Sequence, residues 1–261
     1  MEHADISLAD DGGPFRLKPL PIAQTILIAA GLYFIASMTL EVVEHFTGLP
    51  ERPEMGWIHE SYIHLLQLGL GLLVIHLLRR SYPGTYGLQW PEGESYVVPA
   101  ILWGLGFGVL MTVIGFAPQI IAQKPPTDQP YLLTSFNITG WLLYRALLAG
   151  PAAEVVFRGL LVTYLVQRMP GKIVYRGYEM NGAGVVVAGL YALSFSESFI
   201  NKPFVVALGQ FLVALAMGVF FAYWFEKSKS LLASVIGNSV SGVVGQGIVL
   251  MMVAAWSGHP A

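Results

Sequence analysis

Seven apolar stretches, each long enough to cross a bilayer as a helix, follow one another along this 261-residue chain. They run over residues 21–43, 57–78, 97–116, 135–168, 183–199, 204–225 and 231–256. In lipid every backbone N–H and C=O has to be satisfied within the protein, so runs of this length must be helices. Only 11% of the residues are charged and 55% are hydrophobic, and the mean hydropathy is +0.62, far from an ordinary soluble domain. The expected fold is an all-α polytopic transmembrane bundle of seven to eight helices. The fourth stretch exceeds one span. Proline removes a donor and crowds the preceding turn, so Gly150-Pro151 predicts an interfacial or kinked part up to Ala149 and a spanning part from Pro151.

Charge placement orients such a bundle. Residues 1–20, with Asp5, Asp10, Asp11, Arg16 and Lys18, read as a cytoplasmic N-terminal tail and not as a cleavable signal. Residues 21–256 read as a single transmembrane domain. Arg16, Lys18, Arg79, Arg80, Arg168, Lys172, Arg176, Lys227 and Lys229 all fall on one side, against Arg52, Lys124 and Lys202 on the other. The positive-inside rule then predicts a multi-pass protein of a bacterial inner membrane, with the N-terminus cytoplasmic and the C-terminus outside. Lys124 to Pro130 reads as a plain loop. A net charge of −2 gives no reason to expect a nucleic-acid partner, and with no cysteine there is neither a disulfide nor a thiolate nucleophile or metal ligand.

Within this apolar background, Glu154 and Arg158 stand out. Four residues apart on a helix, they share a face and can pair. Charges at membrane depth turn inward, find partners and mark functional sites, although a pair that merely pins helices together has the same signature. Ser234, Asn238 and Gly242 form a small and polar stripe on the last helix, with Ser241 and Gly245 beside it. Gly209, Gln210, Ala214 and Gly218 do the same on the sixth, and Gly104 with Gly108 on the third. Small faces allow close helix approach in lipid, and the amide of Asn238 needs a partner there.

The stretch Pro151-Ala-Ala-Glu-Val-Val-Phe-Arg-Gly-Leu-Leu161 resembles the Glu-Glu-x-x-x-Arg signature of the CPBP family (CAAX protease and bacteriocin-processing, also called ABI). Ala188-Gly-Leu-Tyr-Ala-Leu-Ser-Phe195 is similar to its second motif. Lys229-Ser-Leu-Leu-Ala-Ser-Val-Ile-Gly-Asn-Ser-Val-Ser-Gly242 is similar to its third, so the resemblance covers residues 95–250. It implies a CPBP-protease-like helical bundle and an intramembrane endopeptidase ancestry. The departures are specific. The first glutamate, which the family uses to activate water, is Ala153 here. The second-motif histidine is Phe195, and the third-motif histidine and asparagine are Asn238 and Gly242. Peptide hydrolysis needs an activated water and a group that stabilises the oxyanion. Glu154 and Arg158 survive, with Asn238 as a possible oxyanion donor.

Two further groups of residues are candidates. Glu197 lies two residues past the lost second-motif histidine, and a carboxylate at the headgroup boundary is its plainer explanation. Glu41, Glu44 and His45 end the first helix, and His59, Glu60 and His64 open the second. Imidazoles and carboxylates can ligate a metal or a tetrapyrrole, so His45, His59 and His64 are candidate cofactor ligands. Their spacing matches no metal signature, and no cofactor is predicted. Asn137-Ile-Thr139 also matches a glycosylation sequon. The expected function is a catalytically degenerate CPBP member, a scaffold or subunit for a membrane-protein partner in the lipid bilayer. The alternatives are an active intramembrane endopeptidase using Glu154 and a pigment-, haem- or metal-binding subunit.

Overall fold

The computed structural model describes residues 15–47, 56–124, 126 and 133–257. Asp5, Asp10, Asp11, Arg52, His259 and most of the loop after Lys124 lie outside the described residues.

Helix α1 covers Pro19–Thr47 and α2 covers Gly56–Leu78. After a loop come α3 (Val97–Gly115) and the short α4 (Ala117–Ile121). The central helix, Ser135–Arg168, is one continuous rod in five pieces. These are α5 (Ser135–Tyr144), a π-helical stretch Arg145–Ala149, α6 (Gly150–Glu154), a second π stretch Val155–Val162, and α7 (Thr163–Arg168). An antiparallel hairpin, β1 (Lys172–Tyr175) and β2 (Tyr178–Asn181), leads into α8 (Gly182–Leu193). The chain closes with α9 (Ser198–Asn201), α10 (Phe204–Ser228) and α11 (Leu232–Ser257). Seven of these helices or helix runs are long and apolar enough to cross a membrane, as the hydropathy requires. The protein is a multi-pass helical membrane bundle.

One expectation needs correcting. Gly150-Pro151 does not break the fourth segment. The widened π turn over Arg145–Ala149 lies just ahead of Pro151 and moves aside the carbonyl that its ring would strike. The segment therefore passes through the bundle once. The fifth span runs over Gly182–Asn201 as expected, divided by a turn over 194–197 between α8 and α9. The all-α bundle also carries one short hairpin over residues 172–181. Its turn residues Arg176 and Gly177 have φ of 50° and 84°, the two positive values of a type I′ turn.

Two apolar clusters make the core. One gathers Ile75, Leu160, Leu161, Leu165 and Val187 around the central helix. The other packs Phe107, Tyr191, Met217, Phe221 and Trp224 between α3, α8 and α10. The small-residue stripes do the packing expected of them. A Cβ on Gly104 would come within 2.6 Å of the Gly237 carbonyl, and one on Gly108 within 2.6 Å of the Ser241 carbonyl. On this contact α3 and α11 lie almost backbone to backbone. The loop over residues 79–96 is strapped to the α10–α11 corner. The Leu231 amide donates to the Gly87 carbonyl at 3.0 Å, and the Ser230 hydroxyl donates to the Gln89 carbonyl at 2.6 Å. Burial in this cap raises the Tyr86 phenol above its ordinary value. Burial also lowers the Lys229 ammonium, with Glu226 and Glu92 opposing it.

Candidate functional site

Four elements converge on the charged pair of the central helix. Glu154 ends α6 and Arg158 lies one turn on, and with 0% and 1% exposure they have essentially no contact with solvent or lipid. Arg158 Nη1 donates to Glu154 Oε1 at 3.1 Å. Arg158 Nη2 donates to the Gly218 carbonyl of α10 at 3.3 Å. From α11, Asn238 Nδ2 donates to the same Glu154 Oε1 at 2.8 Å. The expected hydrogen bond of Asn238 in the interior is therefore present, and it joins the third-motif helix to the first motif.

Aromatic rings complete the enclosure. The Arg158 guanidinium carbon lies 4.6 Å from the Tyr191 ring centroid, 5.4 Å from that of Phe221 and 5.9 Å from that of Phe157. Sequence reasoning missed Tyr191, Phe221 and Gly218 as partners of Arg158. Tyr191 was within reach, since it stands in the second motif four residues before Phe195. Gly218 contributes through its lack of a side chain: a Cβ there would sit 2.8 Å from Ala188 Cα, so α8 and α10 touch at this level. One atom of the pair is left over. Glu154 Oε2 is buried without a hydrogen-bond partner among the described residues.

The other candidates lie apart from this centre. Phe195 follows α8 in the turn and packs edge-on to Tyr191 with ring centroids 5.8 Å apart. Gly242 packs against the Arg145 stem, where a Cβ would meet Cδ at 3.3 Å. Glu197 is exposed, and its Oε1 accepts from Asn201 Nδ2 at 3.0 Å, so the structure does not bring it to Glu154. Asn137 of the sequon is buried, with Oδ1 accepting from Trp57 Nε1 at 3.4 Å, which closes it to glycosylation as folded.

The histidines do not converge either. His59 Nδ1 pairs with Glu44 Oε1 at 2.5 Å, bridging α1 and α2. His45 packs edge-on to Phe46. His64 lies 3.1 Å from the Tyr144 hydroxyl, which also donates to Glu60 Oε2 at 3.3 Å. Tyr144 and its neighbour Arg145 were not foreseen, because they lie 80 residues and more from Glu60 and His64. Among the described residues, no three of His, Cys, Asp and Glu gather closely enough to hold a metal ion.

Chemically, the centre is a sealed carboxylate–guanidinium–amide clamp. Its groups come from the central helix and α11, and its walls from α8 and α10. No curated protein and no solved structure matches the chain. One protein-family model does match it, described as type II CAAX prenyl endopeptidase Rce1-like, over residues 135–244. That interval begins at Ser135 and includes Glu154, Arg158, Tyr191, Gly218 and Asn238. The part of the bundle that builds the clamp is thus the part that is similar to the type II CAAX prenyl endopeptidase Rce1-like model, and the motifs of the sequence resemble the same kind of family.

Proposed function

We propose that this CAAX protease-like membrane protein is a non-catalytic member of its family and acts as a scaffold or subunit for another membrane protein. The observation that carries the reading is the closure of the Glu154 site. The carboxylate shares Oε1 between Arg158 and Asn238 and has no exposed surface. Alanine, phenylalanine, asparagine and glycine stand where the family pattern places its water-activating carboxylate, imidazoles and amide. A hydrolytic site needs room for a water beside a base and donors aimed at the oxyanion. Here the donors of Arg158 and Asn238 point at the carboxylate itself. Buried charge then serves the fold: the pair holds the central helix, α10 and α11 together.

One observation favours a second reading. Glu154 Oε2, without a partner among the described residues, is a free acceptor one residue past Ala153, where the family pattern places its water-activating carboxylate. In an endopeptidase it would take the proton of an attacking water, with Asn238 turned to the oxyanion. Reconstitution into proteoliposomes decides between the two. The scaffold reading expects no cleavage of a prenylated CAAX peptide by the wild type beyond that of Glu154→Gln. It also expects a stoichiometric membrane partner after purification from native membranes in mild detergent. Cleavage that Glu154→Gln abolishes while the fold persists would overturn it.

A further inference from the structure

The end of the bundle away from Glu197 collects positive charge. The start of α1, the ends of α2, α7 and α10, and the hairpin all meet there. Lys18 Nζ donates to the Arg168 carbonyl at 3.2 Å, and the Asn181 amide donates to Glu226 Oε2 at 2.6 Å. Nine described lysines and arginines lie on this end: Arg16, Lys18, Arg79, Arg80, Arg168, Lys172, Arg176, Lys227 and Lys229. They face four described carboxylates, Glu92, Glu94, Glu179 and Glu226. At the edge of this surface an open groove of about 580 Å³ lies between the start of α1 and the end of α7. Lys18, Arg168 and Tyr82 provide its polar wall, and Leu17, Leu20 and Pro21 its apolar wall.

Arg168 is held as a receptor would hold it. Its guanidinium carbon lies 4.8 Å from the Tyr82 ring centroid and 4.7 Å from that of Tyr164. Nη1 donates to Gln24 Oε1 at 3.1 Å and Nη2 donates to the Tyr82 hydroxyl. All these partners are neutral. Among the described residues no carboxylate pairs with Arg168 or Lys18, and Arg168 Nε is buried without a hydrogen-bond partner. A guanidinium held by neutral groups and an exposed ammonium thus flank one groove, with no carboxylate on either among the described residues. The groove also offers leucine and proline at the level where a transmembrane helix begins.

We infer that this groove binds the phosphate headgroup of an anionic glycerophospholipid, with Arg168 and Lys18 on the phosphate and the upper acyl chain against Leu17 and Leu20. Basic pockets between helix ends are suited to such headgroups, and a free anion would make no use of the apolar wall.

Native mass spectrometry of the full-length protein in detergent tests this with phosphatidylglycerol, phosphatidylcholine and soluble glycerol 3-phosphate as probes. The expected result is selective retention of phosphatidylglycerol, weakened about five-fold by Lys18→Gln and again by Arg168→Gln. Retention should be unchanged by Arg80→Gln on the same end of the bundle. Lys18 is exposed, so its variant separates ligand loss from misfolding, should Arg168→Gln disturb the α1–α7 contact. An equal loss with Arg80→Gln would make the attraction diffuse, and full displacement by equimolar glycerol 3-phosphate would make the site one for a free phosphate. Equal retention of the two lipids, with a gain only after Asp10→Asn and Asp11→Asn, would make the chain's own tail the occupant. Each of these three outcomes overturns the inference.

Discussion

At the scale of single residues, the molecule is decided by how it satisfies one buried guanidinium. Arg158 has one carboxylate, one carbonyl and three aromatic faces around it and is 1% exposed. Removing one partner of such a pair leaves an uncompensated buried charge, which destabilises by about 3–5 kcal/mol. Glu154→Leu is therefore expected to lower the thermal midpoint in detergent sharply. The double variant Glu154→Leu with Arg158→Met should recover most of that loss, because a well-packed apolar pair of similar volume replaces the ions. If the double variant is as unstable as the single, the pair is not a clamp. Asn238→Leu removes one hydrogen bond to a charged group and is expected to destabilise by about 1.5–3 kcal/mol, read from the same melting curves. The pair itself was legible in the sequence, since two charges four residues apart in an apolar run can hardly avoid each other. The aromatic cage was not: Tyr191 and Phe221 lie 33 and 63 residues beyond Arg158, and nothing local marks them as its neighbours.

At the scale of elements, hydropathy told more than proline did. All seven apolar stretches are helical, and their limits follow the loss of apolar residues closely. The elements that depart from a plain span are those where local chemistry competes with it. Pro151 is carried by a π turn, α8 gives way to the Ser194–Glu197 turn, and the hairpin rests on two positive-φ residues at Arg176 and Gly177. Close approach is the other element-level device. Gly108→Leu would drive a side chain into the Ser241 carbonyl and Val244, 2.6 and 2.9 Å from the first added carbon, and neither can retreat within a packed helix pair. The expected result is separation of α3 from α11, visible as lost detergent resistance. Gly106→Leu on the same helix, where the added carbon meets nothing within 4 Å, should be tolerated.

At the scale of the whole molecule, the two ends differ in charge, and the lysine and arginine count predicts which end faces the cytoplasm. The absence of cysteine makes this easy to check. Single cysteines placed at Arg176 and at Lys202 are expected to react with an impermeant maleimide from opposite sides of intact vesicles, with Arg176 on the cytoplasmic side. Labelling of both from one side would refute the seven-span topology. Dimensions carry a further consequence. The central helix of 34 residues is about 50 Å long, well beyond a hydrocarbon core of about 30 Å. It is largely wrapped by other helices, so its length does not have to match the lipid. The fifth span, α8 and α9 together, has 20 residues and about 30 Å of helix, close to that core. It carries Ser194, Ser196 and the exposed Glu197 toward its α9 end, where Phe199 packs against both Phe204 and Phe211 of α10. Acyl chains cannot solvate a carboxylate, so the α9 end of this span is expected at headgroup level, where Glu197 sets how deep the bundle sits in the bilayer.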